Sequence, residues 1–426
     1  MKNINHEKQF IDFLTQSPSP YHAVANVKER LVKKGFSELL ESEKWKLRKG
    51  GRYFVTKNDS ALICFTLGNK SPANTGFKIF GAHTDSPGLK IKPNPEKELS
   101  DYVSLGVEVY GGPLLPTWFD RDLSMAGRVA YTNSKNQMRT AIVDFIKPVA
   151  FIPSLAVHLS KKGDEVPKLD KQKQLPPILL QKTSKSPNFE MILKELVSHQ
   201  EKVKPKSILE FDLLLYDAQK PVQVGYQNEF IAGARLDNLL SCYCGLMGLI
   251  SAESKDNCLL VLNDHEEVGS QSDVGAGGAF LKSVLKRISG NLEDYYRLIN
   301  QSMLISADNA HGVHPNHPEK HDGNHLPKLN MGPVIKVNAS QRYTTNANTS
   351  GYFKLLCQKA KIPHQIFVSN TNIACGSTIG PITSSLTGIK ALDIGAATLG
   401  MHSIRELCGV KDIKWMTKMA QAFFKS

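Results

Sequence analysis

At 426 residues, with 41% hydrophobic and 22% charged side chains, the chain has the size and composition of a globular enzyme of two domains or of one elaborated domain. No segment approaches the roughly 20 consecutive apolar residues that cross a bilayer, so a membrane-embedded role is not expected. The 53 basic and 40 acidic side chains leave a formal charge of +13, yet the densest basic cluster, Lys161 to Lys185, lacks interleaved aromatic residues and reads as a solvated loop rather than a nucleic-acid surface.

The first helix is expected from Ser19-Pro20, an N-cap followed by proline in the first turn. Val24, Val27, Leu31 and Val32 form its apolar stripe, and Gly35 ends it. Before it, the polar stretch from Lys2 to Gln9 lacks the apolar core of a secretion signal. Strand-like segments follow at 52–56, 61–67 and 77–80. The last runs into GAHTDSPGLK, which holds His83 and Asp85. At this spacing the carboxylate can orient the imidazole and fix its tautomer, while Gly81 and Gly88 let the backbone turn closely. Taken alone, the pair reads as an ordinary turn.

From about Leu89 the texture changes. Short strands at 103–110, 126–131 and 141–145, punctuated by Gly and Pro, predict a β-rich module. Residues 160–181 read as a loop inside it, and a strand returns at 208–216. His158 falls in the apolar run 151–159, which by itself predicts a partly buried structural histidine.

After Ala234, helices and strands alternate again. Leu236, Leu239, Leu240, Tyr243, Leu246, Met247 and Ile250 give one helix a broad apolar face, and Asp237 sits in its expected first turn, where the macrodipole favours an acid. Apolar runs at 259–262 and 303–305 precede Asp264-His265-Glu266-Glu267 and Asp308. The strand expected at 334–337 places Lys336 on the face opposite Ile335 and Val337. A last strand at 391–394 runs towards His402. His311, His314, His317, His321 and His325 are too many to be ligands together and are assigned mostly to hydrogen bonding or oligomer contacts.

The expected fold is α/β. A catalytic domain of residues 1–90 and 230–426, with a mixed, mainly parallel sheet flanked by helices, is interrupted by an inserted β-rich domain over 91–229. In open α/β sheets, ligands bind beyond the carboxyl ends of the strands. His83 with Asp85, Asp237, Glu266-Glu267, Asp308 and His402 therefore converge on a site suited to two divalent cations. Asp237, Glu267 and Asp308 supply three negative charges, so two dications with a bridging hydroxide give a neutral set. Zn2+ suits these imidazole and carboxylate ligands, and Mn2+ or Co2+ also fit. Glu267 is placed on metal and Glu266 beside the attacking water as general base, which makes the chain a metal-dependent hydrolase.

Several long motifs in one order carry a resemblance: SPSPYHAV, GAHTDSPGLKIKP, WFDRDLSMAGRV, residues 152–158, SADNAHGVHPN, GPVIKVN followed by QRY, and GSTIGP through Met401-His402-Ser403-Ile404-Arg405-Glu406. The chain resembles, end to end, the aspartyl aminopeptidases, which are co-catalytic zinc exopeptidases. The resemblance implies that His83 and Asp308 hold one zinc, Glu267 and His402 the other, and that Asp237 bridges them. It implies Glu266 as the proton carrier between water and leaving amine, with Asp85 supporting His83. It further implies that Lys336 meets an acidic first side chain, with Arg342, Tyr343, Gly376, Ser377 and Thr378 nearby. The inserted domain would be a dimerisation domain within a homododecamer, and His158 would reach a neighbouring subunit's site.

The substrates so implied are peptides with a free N-terminus, preferably beginning with Asp or Glu. An aminopeptidase of broad or neutral preference, or a related di-zinc carboxypeptidase or deacylase, can share the ligand order. A scaffold that has lost catalysis would not need Glu266. Seven cysteines, an odd number without C-x-x-C spacing, predict free thiols in a reducing, cytoplasmic setting.

Overall fold

A computed structural model describes residues 6–159, 169–252 and 255–426. Residues 160–168, the start of the expected Lys-rich loop, lie outside the described residues. By internal contacts the chain forms two compact units, one of residues 1–86, 221–401 and 406–426 and the other of residues 87–220 and 402–405.

The first unit is built on a nine-stranded sheet. From one edge its strands run Ser37–Glu38, Arg52–Lys57, Ala61–Thr66, Cys258–Asn263, Lys78–His83, Met303–Ala307, Lys390–Gly395, Val334–Val337 and Gln365–Val368. Four adjacent central strands, Cys258–Asn263, Lys78–His83, Met303–Ala307 and Lys390–Gly395, are mutually parallel. Their sequences read as unbroken apolar runs because both faces of a central parallel sheet are covered. Alternate residues feed separate cores: Phe80, Ala82, Leu260, Leu262, Ile305, Ala307, Leu392 and Ile394 face one, and Ile79, Leu259, Val261, Leu304 and Ala391 the other. The helices Leu236–Ala252 and Val410–Phe424 cover the first face, and Phe280–Ser289 with Leu292–Gln301 cover the second. A smaller five-stranded sheet orders Val222–Val224, Phe230–Gly233, Glu406–Gly409, Ala397–Leu399 and Ala310–His311.

The chain's first described helix is His6–Thr15, ahead of the expected one, which forms over Pro20–Lys33 with Ser19 as N-cap. Val24, Val27 and Leu31 are buried as the spacing predicts, but Val32 is exposed, because it falls one step off the buried stripe.

The second unit holds a six-stranded antiparallel sheet, ordered Met138–Asp144, Leu123–Thr132, Ser207–Asp217, Gly88–Leu99, Tyr102–Tyr110 and Ile178–Gln181. Its core gathers Leu89, Leu105, Trp118, Met125, Val143 and Leu213 with Phe189, Leu193 and Val197 of the helix Phe189–Glu201. Two expectations need correction here. The segment read as loop over 160–181 contains a helical turn, Lys171–Gln174, capped by Asp170, and the edge strand Ile178–Gln181. The apolar run 151–159 is largely solvent-facing, with Leu155, Val157 and Leu159 each more than 60% exposed and His158 exposed within a short 3-10 turn, Val157–Leu159. Apolar composition predicted burial there, but among the described residues only Ile152 of the run is buried.

Candidate metal centre

Parallel register places His83, the last residue of its strand, beside Asn263, the last residue of the neighbouring strand. Thr84 stitches these ends together: its amide donates to the Asn263 carbonyl at 2.7 Å, and its hydroxyl to Ser60 O at 2.8 Å. The His83 ring is buried. Its Nδ1 lies 3.0 Å from the Asp85 carbonyl and 3.2 Å from Asp85 Oδ1, so Nδ1 carries a proton towards Asp85 and Nε2 faces inward. Around Nε2 stand Asp237 Oδ1 at 3.5 Å, Asp308 Oδ1 at 3.8 Å and Glu266 Oε2 at 4.0 Å. The Cys242 thiol donates to the His83 carbonyl at 2.9 Å, and burial pushes that thiol up to about 12.

Asp85 does more than orient the imidazole. Its carboxylate also accepts the amides of Glu266 at 3.2 Å and Glu267 at 3.1 Å. One buried side chain thus sets both the histidine and the paired glutamates. The glutamates occupy a short 3-10 turn, Glu266–Val268, entered through His265 at φ +60° and left through Gly269 at φ +96°. Asp264, before the turn, holds the His265 amide at 2.8 Å.

Asp237 departs from the sequence expectation. It falls at the start of Leu236–Ala252, but its φ of −82° and ψ of 108° are extended, and the Asp237–Asn238 peptide is cis. A first-turn macrodipole role therefore does not apply. Its amide donates to Glu406 Oε2 at 3.0 Å, and its carbonyl receives the Ser86 hydroxyl at 2.6 Å. Asn238 Nδ2 ties this bend to the Ala307 carbonyl at 2.7 Å, one residue before Asp308.

Asp308 follows the strand Met303–Ala307, and its amide donates to Ile394 O at 2.9 Å. Lys336 Nζ donates to the carbonyls of Asp308 at 3.0 Å and Asn309 at 3.1 Å, and stands 4.9 Å from the Tyr343 ring centroid. Lys336 is 3% exposed.

The structure thus brings His83, Asp85, Asp237, Glu266, Glu267, Asp308 and Lys336 together in the first unit. Ligand atoms of His83, Asp237 and Asp308 lie within 4.8 Å of one another, as do those of His83, Glu266 and Glu267. His402 belongs to the second unit, where its Nδ1 lies 3.1 Å from the Gly112 carbonyl.

Charge in this cluster is unbalanced. Burial pushes the Glu266 carboxyl up to about 8; His83 opposes this, and Asp308, Asp85 and Asp237 reinforce it. Burial and Asp237 likewise raise Glu267 well above the carboxylate range. Burial disfavours charge on His83, but hydrogen bonds to Asp237, Asp308 and Asp85 outweigh it, and the imidazole is raised. Asp308 is held low despite its burial, by the Lys336 charge and by His83. Five carboxylates around one imidazole and one ammonium are short of positive charge, and their oxygens with Nε2 form a donor set that fits Zn2+. The residues present fit a divalent metal centre.

Beside the cluster, a cavity of about 270 Å³ is lined by His311, His321, Tyr343, Phe367, Cys375 and Gly376, among others. Of the expected substrate contacts, Tyr343 and Gly376 line it. Lys336 is not among the described lining residues, and neither is Ser377, whose hydroxyl instead donates to the Arg342 carbonyl at 3.3 Å. His321 Nε2 accepts the His314 amide at 3.3 Å, and His314 Nδ1 accepts the Asn316 amide at 3.2 Å. Sequence reasoning passed over Glu406, Cys242 and the Lys336–Asp308 pairing. Glu406 stands in the motif after His402, but nothing in its spacing pointed to Asp237.

Comparison with known proteins adds a family. Residues 13–424 match the model for aminopeptidase I zinc metalloproteases (M18). A probable M18 family aminopeptidase 2 of Pseudomonas aeruginosa UCBPP-PA14 is 49% identical over 417 residues, covering 98% of this chain and 97% of its own, and the protein of that name from Stutzerimonas stutzeri is equally similar. Among solved structures, Ape4 in its complex with Nbr1 superposes with a TM-score of 0.94 at 37% identity, covering 99% of this chain and 85% of that one. The S. cerevisiae mApe1 dodecamer superposes at 0.87 with 31% identity, covering 98% and 96%.

Proposed function

The chain belongs to the M18 family of zinc metalloproteases and is an aminopeptidase of that kind; on this premise we propose that it removes N-terminal residues, preferably Asp or Glu, with two metal ions held at the cluster around His83. The observation that carries the proposal is the convergence of Asp237, Asp308 and Glu266 carboxylate oxygens on His83 Nε2 within 4.0 Å.

His83, Asp237 and Asp308 would hold one ion, and Asp237, Glu267 and His402 the other, with Zn2+ as the ion and Mn2+ or Co2+ as substitutes. The motif from Met401 to Glu406 is the ground for His402, and within the first unit Glu406 of that motif holds the Asp237 amide. When bound, the ions supply charge to polarise the scissile carbonyl and lower the pKa of water. The chain's own residues do the rest. Asp85 keeps the His83 proton on Nδ1 and fixes the Glu266–Glu267 turn. Glu266 takes a proton from the attacking water and returns it to the leaving amine.

The cavity beside Tyr343 and Gly376 would take the first side chain. Lys320 on its lining, with the Lys336 charge behind Tyr343, favours an acidic one. The β-rich unit would serve dimerisation within a dodecamer. The solvent-facing apolar side chains around His158 support a role for that residue at a neighbouring subunit.

The test is a panel of single-residue amides and N-blocked peptides, assayed on zinc-loaded, chelated and reloaded protein. Hydrolysis of Asp and Glu amides, abolished by chelator and restored by zinc, is expected. Turnover of N-blocked peptides instead would move the chain to the carboxypeptidase or deacylase reading, and turnover indifferent to chelator would remove the metal centre from catalysis.

A further inference from the structure

We infer that Asp393 is a positioning residue that sets the spacing between two walls of the substrate cavity, and through it the choice of side chain, without touching substrate. Asp393 lies in the central strand Lys390–Gly395 and is completely buried. Its Oδ2 accepts the Thr344 amide at 2.6 Å and the Thr344 hydroxyl at 2.7 Å, while Oδ1 accepts the Thr378 hydroxyl at 2.6 Å. Its own amide donates to Thr345 Oγ1 at 3.0 Å. No lysine or arginine pairs with Asp393 among the described residues, so these short donors are what hold its charge.

The donors come from two segments far apart in the chain, and each segment carries one side of the cavity. Tyr343 immediately precedes Thr344, and Cys375 and Gly376 shortly precede Thr378. Thr378 is also the N-cap of the helix Ile379–Thr387, its Oγ1 receiving the Gly380 amide at 3.3 Å. There is no slack at this junction, because a Cβ on Gly380 would come within 2.5 Å of Asp393 Oδ1. The Ser377–Arg342 bond is a second tie between the same two segments, but an exposed one. The buried carboxylate is therefore the rigid clamp, and losing the Thr378 hydroxyl would let the Tyr343 and Gly376 sides drift apart.

This inference rests on the reading of the cavity as the pocket for the first side chain, but not on acidic preference. Zinc-loaded Thr378→Val, Thr378→Ser, Asp393→Asn and Phe367→Ala are compared with wild type on the single-residue amide panel. Metal content, oligomeric mass and melting temperature are measured alongside. For Thr378→Val, KM on the preferred amide should rise about tenfold with kcat within about threefold, and the kcat/KM ratio of the best to the second-best amide should shrink about tenfold. Thr378→Ser, which keeps the hydroxyl, should restore both, and Asp393→Asn should move in the same direction as Thr378→Val. An unchanged KM and ratio in Thr378→Val, or a fall in kcat alone, overturns the clamp. Phe367→Ala separates the two readings: altered selectivity there with none in Thr378→Val discards the clamp and keeps the cavity, whereas no change in either discards both. Should Asp393→Asn fail to fold, the threonine pair decides the matter.

Discussion

Lys336 is bound to Asp308 twice over: its Nζ donates to the Asp308 carbonyl at 3.0 Å and lies 3.4 Å from Oδ2 of the same residue. A lysine expected to face substrate is thus also the cation that keeps a proposed metal ligand ionised: burial works against the Asp308 charge, and the Lys336 ammonium does most to oppose it. The ammonium stands 4.9 Å from the ring of Tyr343, which lines the cavity, so its proposed effect on substrate would act from behind that wall.

Lys336→Met should therefore separate charge from packing. A unit charge about 8 Å from a substrate carboxylate in a partly buried site contributes about 2 kcal/mol. The kcat/KM preference for acidic over neutral first residues should fall more than tenfold, while metal content at neutral pH is kept, because the variant site is more negative and still attracts cations. Equal losses on acidic and neutral amides would assign Lys336 a purely structural role.

Glu266→Gln should leave the metal sites loaded and the fold intact, since the Asp85 carboxylate is held by the Glu266 amide rather than by its side chain. Turnover should drop by about 10²–10⁴, the range for loss of a general base. Single-turnover kinetics with metal analysis checks this, and near-normal rates would remove Glu266 from proton transfer.

Asp85→Asn removes the charge 3.2 Å from His83 Nδ1, leaving the Asp85 carbonyl at 3.0 Å in place, and weakens the grip on the Glu266 and Glu267 amides together. Zinc affinity should fall about 10–100-fold, as is usual when the residue orienting a ligand is lost. Competition with a chelator of known strength measures it. Unaltered affinity would show that the backbone carbonyl of residue 85 suffices to orient the imidazole.

The stability of the metal-free protein should depend on pH in a defined direction. The folded state holds a proton on Glu266 up to about pH 8, whereas the unfolded chain releases it near the ordinary glutamate value of 4.5. This contribution is fully present below the unfolded value and is lost as pH rises through that window. Glu267 and His83, both raised, act with the same sign. Asp308, held low, contributes only against acid, below its unfolded value of 3.8. The melting temperature of chelated protein should therefore fall from pH 5 to pH 8, and the stabilisation conferred by zinc should grow over the same range. Asp412, pushed up to about 7 by burial, lies outside the cluster and should leave a residual slope when zinc is present. A chelated protein with a flat profile would contradict the crowding of buried carboxylates.

The strands that deliver His83, Glu266, Glu267 and Asp308 were legible in the sequence because central parallel strands are buried on both faces, so each is an apolar run broken abruptly by polar residues. The longest strand, Gly88–Leu99, was not legible. Pro93 and Pro95 interrupt its pattern, and they fall between Ile91 and Glu96, where the pairing register shifts and an amide need not join the ladder. Asp237 is legible as a candidate ligand but not in its conformation, because helix propensity says nothing of the bend that Glu406, Ser86 and Asn238 impose.

What local pattern settles is where a strand ends and which chemical groups stand there. The order of strands across the sheet is another matter, since 258–263, 78–83, 303–307 and 390–395 lie side by side in an order the chain does not follow. That order sets which distant side chains meet: Lys336 with Asp308, Glu406 with Asp237, Asp393 with Thr344 and Thr378. Each such contact joins segments between 15 and 169 residues apart, and no periodicity in the chain encodes it; it exists only once apolar faces have packed and fixed the strands relative to one another.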